Sequence, residues 1–122
     1  MKQKKRFKNY SAPALDKGLD ILELLSTSEN GLTQAQIASK LNKSVNEIYR
    51  MLSTLRLREY ITLEEETDVY NLSYKILNMT AKFEPVKTLM ARSIPLMKEI
   101  TTKTNQSIHL AIYTRGKILI LA

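Results

Sequence analysis

Residues 33–55, TQAQIASKLNKSVNEIYRMLSTL, contain two consecutive signals for the start of a helix. Thr33 with Gln36, and Ser44 with Glu47, both fit the capping box. In this motif a hydroxyl accepts the backbone N–H three residues on, and the side chain of that third residue reaches back to the backbone N–H of the first. The segment therefore predicts two helices in close succession, one opening at Thr33 and the other at Ser44.

The link between these two predicted helices is a tight turn. We expect the first helix to end near Lys40, and Asn42 suits the left-handed conformation that often follows a helix end. The second helix is expected to end near Glu59. Its apolar residues recur at helical spacing and form one stripe that we predict to be buried. That stripe consists of Ile48, Met51, Leu52 and Leu55.

The flanking segments supply one more helix and a hairpin. Upstream, the spacing of the leucines predicts a helix over 13–26, and Pro13 suits its first turn. Downstream, residues 60–63 and 69–72 have the character of short strands, with the polar, acidic segment 64–68 between them. Three helices followed by such a hairpin form a winged helix-turn-helix. The predicted fold class is mainly α with small β hairpins (α+β).

The remaining sequence predicts a linker helix, a long helix and a second hairpin. Helical spacing continues over 73–82 and 85–104, and Pro95 predicts a kink in the longer helix because proline removes one hydrogen bond. Residues 107–113 alternate between apolar and polar side chains, and residues 118–121 are all apolar. These two runs are predicted to pair as a C-terminal β-hairpin.

Charge and composition narrow the class of protein. The 122 residues carry a formal net charge of +7, with the basic excess concentrated near the N-terminus. Such a balance suits a polyanionic partner: DNA, RNA or an anionic membrane surface. The lack of cysteine excludes disulfides and thiolate metal sites, and no apolar run approaches the length of a membrane span. We therefore expect a cytoplasmic protein that associates with the nucleoid.

The sequence shows no motif for catalysis or for cofactor binding. His109 is the only histidine, and no cysteine is available to complete a metal site with it. Neither a glycine-rich phosphate loop nor a nucleophile–base pair is visible. We therefore expect a protein that is not an enzyme and that holds neither a metal nor a cofactor.

The second helix of the predicted helix-turn-helix offers a polar face to DNA. An α-helix fits the major groove, and its N-terminal residues can reach base edges. Arg50 is the leading candidate, since it can contact guanine or clamp a phosphate, although it could also be an ordinary surface arginine. Ser44 and Glu47 could act only as helix caps. The candidate DNA-binding residues of this region are Lys43, Ser44, Asn46, Glu47, Tyr49, Arg50, Ser53 and Thr54.

Two other segments carry concentrated charge, one basic and one acidic. Lys5 and Arg6 lie in a basic N-terminal arm, which could contact DNA or could be a solvated tail. The predicted wing contains Glu64-Glu65-Glu66, a run of like charge that would repel phosphate. We expect the tip of the wing to be a solvated acidic loop.

Six segments, in this order, resemble the isocitrate-lyase-regulator (IclR) family of bacterial and archaeal regulators. They are similar to its first helix, its helix-turn-helix, its second wing strand with the linker helix, and the beginning of its effector-binding domain. The segments are ALDKGLDILELL (14–25), LTQAQIA (32–38), IYRMLSTL (48–55), YNLSYKIL (70–77), ARSIPLMKEI (91–100) and TNQSIHLAI (104–112).

The resemblance implies a sequence-specific transcription regulator, with repression as its expected action, that binds a palindromic operator in double-stranded DNA as a homodimer. By position, the DNA-contacting residues of the family fall on Asn46, Glu47, Tyr49 and Arg50. The usual Ser-Thr pair is Asn46-Glu47 here, and the usual turn glycine is Asn42. The change at Asn42 is mild, but because of Asn46-Glu47 the resemblance does not imply an operator sequence.

The resemblance also divides the chain into four predicted segments. Residues 1–11 are the basic arm, 12–73 the winged helix-turn-helix and 74–84 the linker helix. Residues 85–122 correspond to a truncated start of the effector-binding and dimerisation domain. The family's pocket comes largely from residues that this chain does not have, so binding of a small-molecule effector is not implied. We expect either a truncated member or a fragment of a longer one.

Two other functions fit the same sequence. The chain could be a winged-helix protein-interaction module whose basic arm is only solubilising, or it could bind nucleic acid without specificity through the arm alone. An isolated hairpin is marginal in water, so we expect the long helix and the C-terminal hairpin to pack against a second copy. Substitution of Arg50 is predicted to separate these functions.

Overall fold

A computed structural model describes residues 11–122, so Lys5 and Arg6 of the predicted arm lie outside the described residues. The chain separates into two compact units, the first ending at Ile76 and the second starting at Leu77. The helices and strands are α1 (Pro13–Ser26), β1 (Leu32–Thr33), α2 (Gln34–Leu41), α3 (Val45–Leu57), β2 (Ile61–Glu64), β3 (Val69–Leu72), α4 (Lys75–Ala81), α5 (Glu84–Thr104), β4 (Ala111–Thr114) and β5 (Lys117–Ile120). The predicted α+β winged helix-turn-helix, followed by helices and a hairpin, is confirmed.

Both predicted capping boxes are present. The Thr33 hydroxyl accepts the Gln36 N–H, and the Gln36 side chain accepts the Thr33 N–H, at the start of α2. Ser44 and Glu47 make the same reciprocal pair at the start of α3. Asn42 ends α2 in the left-handed conformation with φ of 53°. The sequence therefore sets where both helices of the helix-turn-helix begin.

The wing belongs to a three-stranded antiparallel sheet with the order β1-β3-β2. Leu32 pairs with Tyr70, and Ile61 pairs with Leu72. The short strand β1 was not predicted, because two residues carry no alternating pattern of their own. It joins the sheet directly after Gly31, whose φ is +71°. The Cα of Gly31 lies close to the backbone of Tyr70, and an added Cβ would lie 2.5 Å from the Tyr70 oxygen.

The core of the first unit lies where α1, α2, α3 and the sheet meet. Helix α1 contributes Ile21 and Leu25 to it, while Leu15 and Leu19, from the same leucine repeat, are exposed. The leucine repeat therefore predicted the helix correctly. Among the described residues, only the second half of α1 packs against the core. The buried residues are Ile21, Leu25, Leu32, Ile37, Ala38, Ile48, Leu52, Ile61 and Tyr70.

The base of the wing is tied to the start of α4. The Ser73 N–H donates to the Tyr60 carbonyl over 3.0 Å, and the Ser73 hydroxyl donates to the carbonyl of Glu59. The Lys75 ammonium donates to the Arg58 carbonyl at 2.6 Å and lies 4.7 Å from the centre of the Tyr60 ring. These contacts fix the path of the chain from β3 into α4, the linker helix of the prediction.

The second unit contains α5 and the β4–β5 hairpin. Pro95 lies inside α5, and the kink expected there stays a prediction. The first strand of the hairpin begins at Ala111 and not at Ser107, because residues 107–109 find no pairing partner in β5 among the described residues. The second strand is Lys117–Ile120, one residue earlier than predicted. His109 therefore precedes the strand and is exposed, contrary to its predicted place within one.

Within residues 11–122, none of the helices combines the length and the apolar character that crossing a bilayer requires. The same part of the chain contains no cluster of three or more His, Asp or Glu side chains arranged to hold a metal ion.

Candidate nucleic-acid interface

Helix α3 presents the candidate residues on an exposed face. Its apolar side is anchored by Ile48 and Leu52, which are almost completely buried. Most of the candidates on the rest of the helix and in the preceding turn are exposed to solvent, and Glu47 is half-buried. The exposed candidates are Lys43, Ser44, Asn46, Tyr49, Arg50, Ser53 and Thr54.

Three contacts hold α3 against its neighbours in addition to the core. The Lys17 ammonium of α1 lies 2.9 Å from Glu47 Oε1. The Gln34 side-chain amide, at the first residue of α2, donates to the Val45 carbonyl over 3.1 Å. At the other end of α3, Arg56 pairs with Glu65 of the wing at 3.1 Å. The helix is therefore fixed at both ends and along its buried side.

The carboxylate of Glu47 accepts three hydrogen bonds within the protein. Its Oε1 accepts from the Lys17 ammonium, and its Oε2 accepts from both the N–H and the hydroxyl of Ser44, at 3.0 Å and 3.1 Å. The hydrogen bond from Lys17, followed by those from Ser44, lowers the pKa of Glu47 from 4.5 to about 2. Glu47 is therefore ionised at neutral pH, and its charge faces an ammonium.

Ser53 and Thr54 use their hydroxyl hydrogens within α3. The Ser53 hydroxyl donates to the Tyr49 carbonyl at 2.8 Å, and the Thr54 hydroxyl donates to the Arg50 carbonyl at 3.2 Å. Both oxygens can still accept a hydrogen bond, because a hydroxyl has two lone pairs. In this arrangement the two residues offer acceptors, so they do not match the phosphate oxygens, which are acceptors themselves.

A groove runs between the first turns of α1 and the N-terminal half of α3. It is lined by Lys17 of α1 and by Asn46, Glu47 and Arg50 of α3, among others. Asn46 and Arg50 therefore lie on the border between the exposed face and the Lys17–Glu47 pair. Among the candidates on α3 itself, these are the two whose side chains can donate several hydrogen bonds.

The tip of the wing is acidic and exposed, as its sequence predicted. Glu64, Glu65 and Glu66 are all exposed. Glu65 is paired with Arg56, and Glu64 accepts a 2.6 Å hydrogen bond from the Thr67 hydroxyl. Pairing offsets only one of the three charges, so the tip remains an unfavourable neighbour for phosphate.

Sequence reasoning missed Val45, the first residue of α3. Its side chain is 50% exposed, although valine is apolar, and Tyr49 one turn later is 58% exposed. The two lie four residues apart, so they share one face of the helix. The capping box at Ser44 was the available signal, since it makes Val45 the first residue of α3 and places it beside the candidate residue Asn46.

The family model for the IclR helix-turn-helix domain matches residues 14–65, from the first turn of α1 to the end of β2 and the residue after it. Residues 14–65 are a helix-turn-helix domain of the IclR family. The resemblance found in the sequence is thereby confirmed. All the candidate residues of α3 and of its preceding turn lie within this IclR domain.

Two curated relatives extend the similarity along most of the chain. The HTH-type transcriptional regulator BhcR of Paracoccus denitrificans is 28% identical over 109 residues, which are 89% of this chain and 39% of that protein. The HTH-type transcriptional regulator KdgR of Dickeya chrysanthemi is 27% identical over 110 residues, 89% of this chain and 35% of that protein. The chain thus spans less than half the length of these relatives.

Solved structures of IclR regulators share the fold. The regulator from Alicyclobacillus acidocaldarius superposes with a TM-score of 0.70 at 18% identity, covering 93% of this chain and 46% of that one. An IclR homologue from Microbacterium hydrocarbonoxydans, solved with 4-hydroxybenzoate, gives a TM-score of 0.73 at 13% identity over 88% of this chain and 44% of that one. The likeness continues beyond the IclR domain into residues of the second unit.

Proposed function

We propose that this chain is a transcription regulator that binds double-stranded DNA with sequence specificity through the exposed face of α3. The observation that carries the proposal is the arrangement of α3 itself. Its apolar side is buried on the core, while Asn46, Tyr49 and Arg50 stay exposed. A helix held in this way can enter the major groove as a rigid body, with its N-terminal half against the base edges.

Each exposed side chain near the start of α3 suits a particular DNA group. Arg50 can donate two parallel hydrogen bonds to guanine, and Asn46 can pair with adenine through its amide. Val45 and Tyr49 provide an apolar surface that suits the methyl group of thymine. Lys43, in the turn before the helix, supplies charge for a backbone phosphate. Ser53 and Thr54 stay candidates as acceptors only.

Selection of bound duplexes from random DNA tests the proposal. We expect a defined sequence to be enriched. On that sequence Arg50→Ala should weaken binding by about 1–3 kcal/mol, with a much smaller loss on scrambled DNA. Arg92→Ala, which removes the same charge from an exposed position of α5, is the matched control and should lower both affinities equally and slightly.

Two results would contradict this function. Equal losses on the selected and scrambled duplexes would make Arg50 a phosphate contact. The lack of any DNA binding by the intact chain would favour the alternative, a winged-helix module that binds protein.

The N-terminal arm contributes charge to the proposed complex. Five of the first eight residues are basic: Lys2, Lys4, Lys5, Arg6 and Lys8. Deletion of residues 2–8 should reduce the salt dependence of binding, by about 0.9 in log–log slope for each phosphate contact that is lost. An unchanged slope would show that the arm does not touch the DNA.

We also propose that the chain binds a palindromic site as a homodimer. The second unit leaves large apolar side chains exposed on the hairpin and on α5, and exposed apolar surface favours association. Those side chains are Leu96, Ile100, Tyr113, Ile118, Leu119 and Ile120. Two copies would place their α3 helices about 34 Å apart, one turn of DNA. A monomer in sedimentation at micromolar concentration would contradict this.

Repression is the proposed direction of regulation, since a protein held at a promoter excludes the polymerase. A reporter gene placed behind the selected sequence should lose expression when the chain is produced. Increased expression would make the protein an activator without affecting the proposed mode of DNA binding.

A further inference from the structure

Glu47 is an acidic residue in the N-terminal half of the helix that we propose to enter the major groove. A carboxylate there is repelled by the DNA phosphates unless it accepts from a base or is neutralised by the protein. A glutamate can contact cytosine through the amino group of that base. The position of Glu47 beside Asn46 therefore leaves two roles open, base contact or support of the helix.

The contacts of Glu47 favour support. Oε1 faces the Lys17 ammonium at 2.9 Å, and Oε2 accepts two hydrogen bonds from Ser44. Lys17 is separated from Glu47 by 30 positions in sequence, and its side chain is only 21% exposed. A base contact would have to use the one acceptor site left on Oε1 while the helix cap and the ammonium hold the side chain in place.

The location of this pair links it to the residues proposed to contact bases. Lys17 and Glu47 line the same groove as Asn46 and Arg50. Asn46 and Glu47 are adjacent in sequence, and Arg50 lies three residues after Glu47, on a neighbouring part of the helix surface. A change in how the first turn of α3 rests on α1 would therefore move both donors.

We propose that Glu47 is a positioning residue, which joins the cap of α3 to Lys17 of α1 and thereby sets the direction in which Asn46 and Arg50 face the DNA. This inference rests on the proposed function, because it assigns a role within the same interface. It places Lys17, which no sequence pattern singled out, in the machinery of specific binding.

The test uses Lys17→Met, Glu47→Gln and the double variant in the full chain. Gln keeps the capping box, which accepts Glu or Gln at this position, and loses the ion pair. The ratio of affinities for selected and scrambled duplexes is the readout, because it cancels the change in net charge. Each single variant should lower this ratio about two- to fivefold, as expected for an exposed ion pair. The double variant should be no worse than either single one.

Two further measurements separate positioning from base contact. Sequences selected by Glu47→Gln should keep the same preferred bases as the original chain. Lys17→Arg, which replaces the ammonium with a guanidinium and so keeps a cation beside Glu47, should keep the affinity ratio. A new preferred base at one position with Glu47→Gln, or an unchanged ratio with Lys17→Met, would overturn the inference.

Thermal unfolding of the same variants distinguishes failure of this inference from failure of the proposed function. If the original chain enriches no sequence at all, the proposal of specific DNA binding is wrong. Thermal unfolding then tests by itself whether Lys17 and Glu47 are coupled. Non-additive losses of melting temperature in Lys17→Met, Glu47→Gln and the double variant would support the coupling of the two residues. Additive losses would refute it.

Discussion

The two units of this chain use their apolar residues in opposite ways. In the first, which ends at Ile76, α1, α2, α3 and the small sheet enclose a core that runs from Ile21 to Tyr70. In the second, no residue from Leu77 onward is buried, and all four residues of β5 are exposed. Regular secondary structure is therefore present in both units, whereas a core is present in one.

This difference shows what each unit needs in order to be stable. Burial of apolar surface is the dominant favourable term in folding, and the first unit obtains it within residues 11–76. The second unit displays Ile118 and Ile120 on a hairpin, and an isolated hairpin is marginal in water. We expect the first unit to hold its shape by itself and the second to depend on what covers it.

The largest expected effect comes from one substitution made in both units. Ile37→Ala empties a fully buried position and should cost about 2–5 kcal/mol of the free energy of unfolding. Ile118→Ala changes a side chain that is 73% exposed and should stay within about 0.5 kcal/mol. Denaturant unfolding followed by circular dichroism measures both.

Repeating both unfolding measurements at several protein concentrations sharpens the comparison between the two isoleucine variants. If a second copy covers the hairpin, the cost of Ile118→Ala should rise with concentration, while that of Ile37→Ala should not. Equal costs for the two variants under dilute conditions would refute the contrast between the units.

A pair of glycine substitutions tests the packing of the sheet in the first unit. Gly31→Ala would force a side chain into a left-handed position where its Cβ meets Asn71, Tyr70 and Val69, so a loss of roughly 1–3 kcal/mol is expected. Gly18→Ala lies in α1 with open space around it and should add roughly 0.5–1 kcal/mol. Thermal melts of the two variants should shift in opposite directions, and a shift in the same direction would contradict the pairing of β1 with β3.

The smallest expected effect concerns the pH dependence of the first unit. The pKa of Glu47 is lowered from 4.5 to about 2 in the folded chain. Its contribution to stability is therefore complete above pH 4.5 and is lost as the pH falls toward 2. The difference in melting temperature between the original chain and Glu47→Gln should be constant at neutral pH and shrink across that window. A difference that persists unchanged to pH 2 would mean that Lys17 and Ser44 do not hold the charge.

Local chemistry explains what could be predicted from the sequence. Capping boxes act over three residues, so the starts of α2 and α3 follow from Thr33 and Ser44 without knowledge of the rest. The strand β1 could not be predicted, because only its pairing with β3 makes it a strand. The same holds for the hairpin, where alternation suggested a strand from Ser107 but pairing begins at Ala111.

In the candidate interface too, local features could be predicted from the sequence, whereas contacts between distant residues could not. The exposed face with Asn46 and Arg50 follows from helical geometry, and the family resemblance pointed to the same residues. The partnership of Glu47 with Lys17 joins positions 30 residues apart, and no local pattern carries that information. Val45 was missed because an apolar residue next to a cap is usually assigned to the core.

Nuclear magnetic resonance of the labelled chain, titrated with the selected duplex, tests the central claim most directly. We predict that the largest changes in amide and side-chain signals fall on residues 43–50, with the side chains of Asn46 and Arg50 foremost and those of α5 little affected. Changes concentrated on α5 and the β4–β5 hairpin, with α3 unaltered, would contradict the claim that α3 is the DNA-contacting helix.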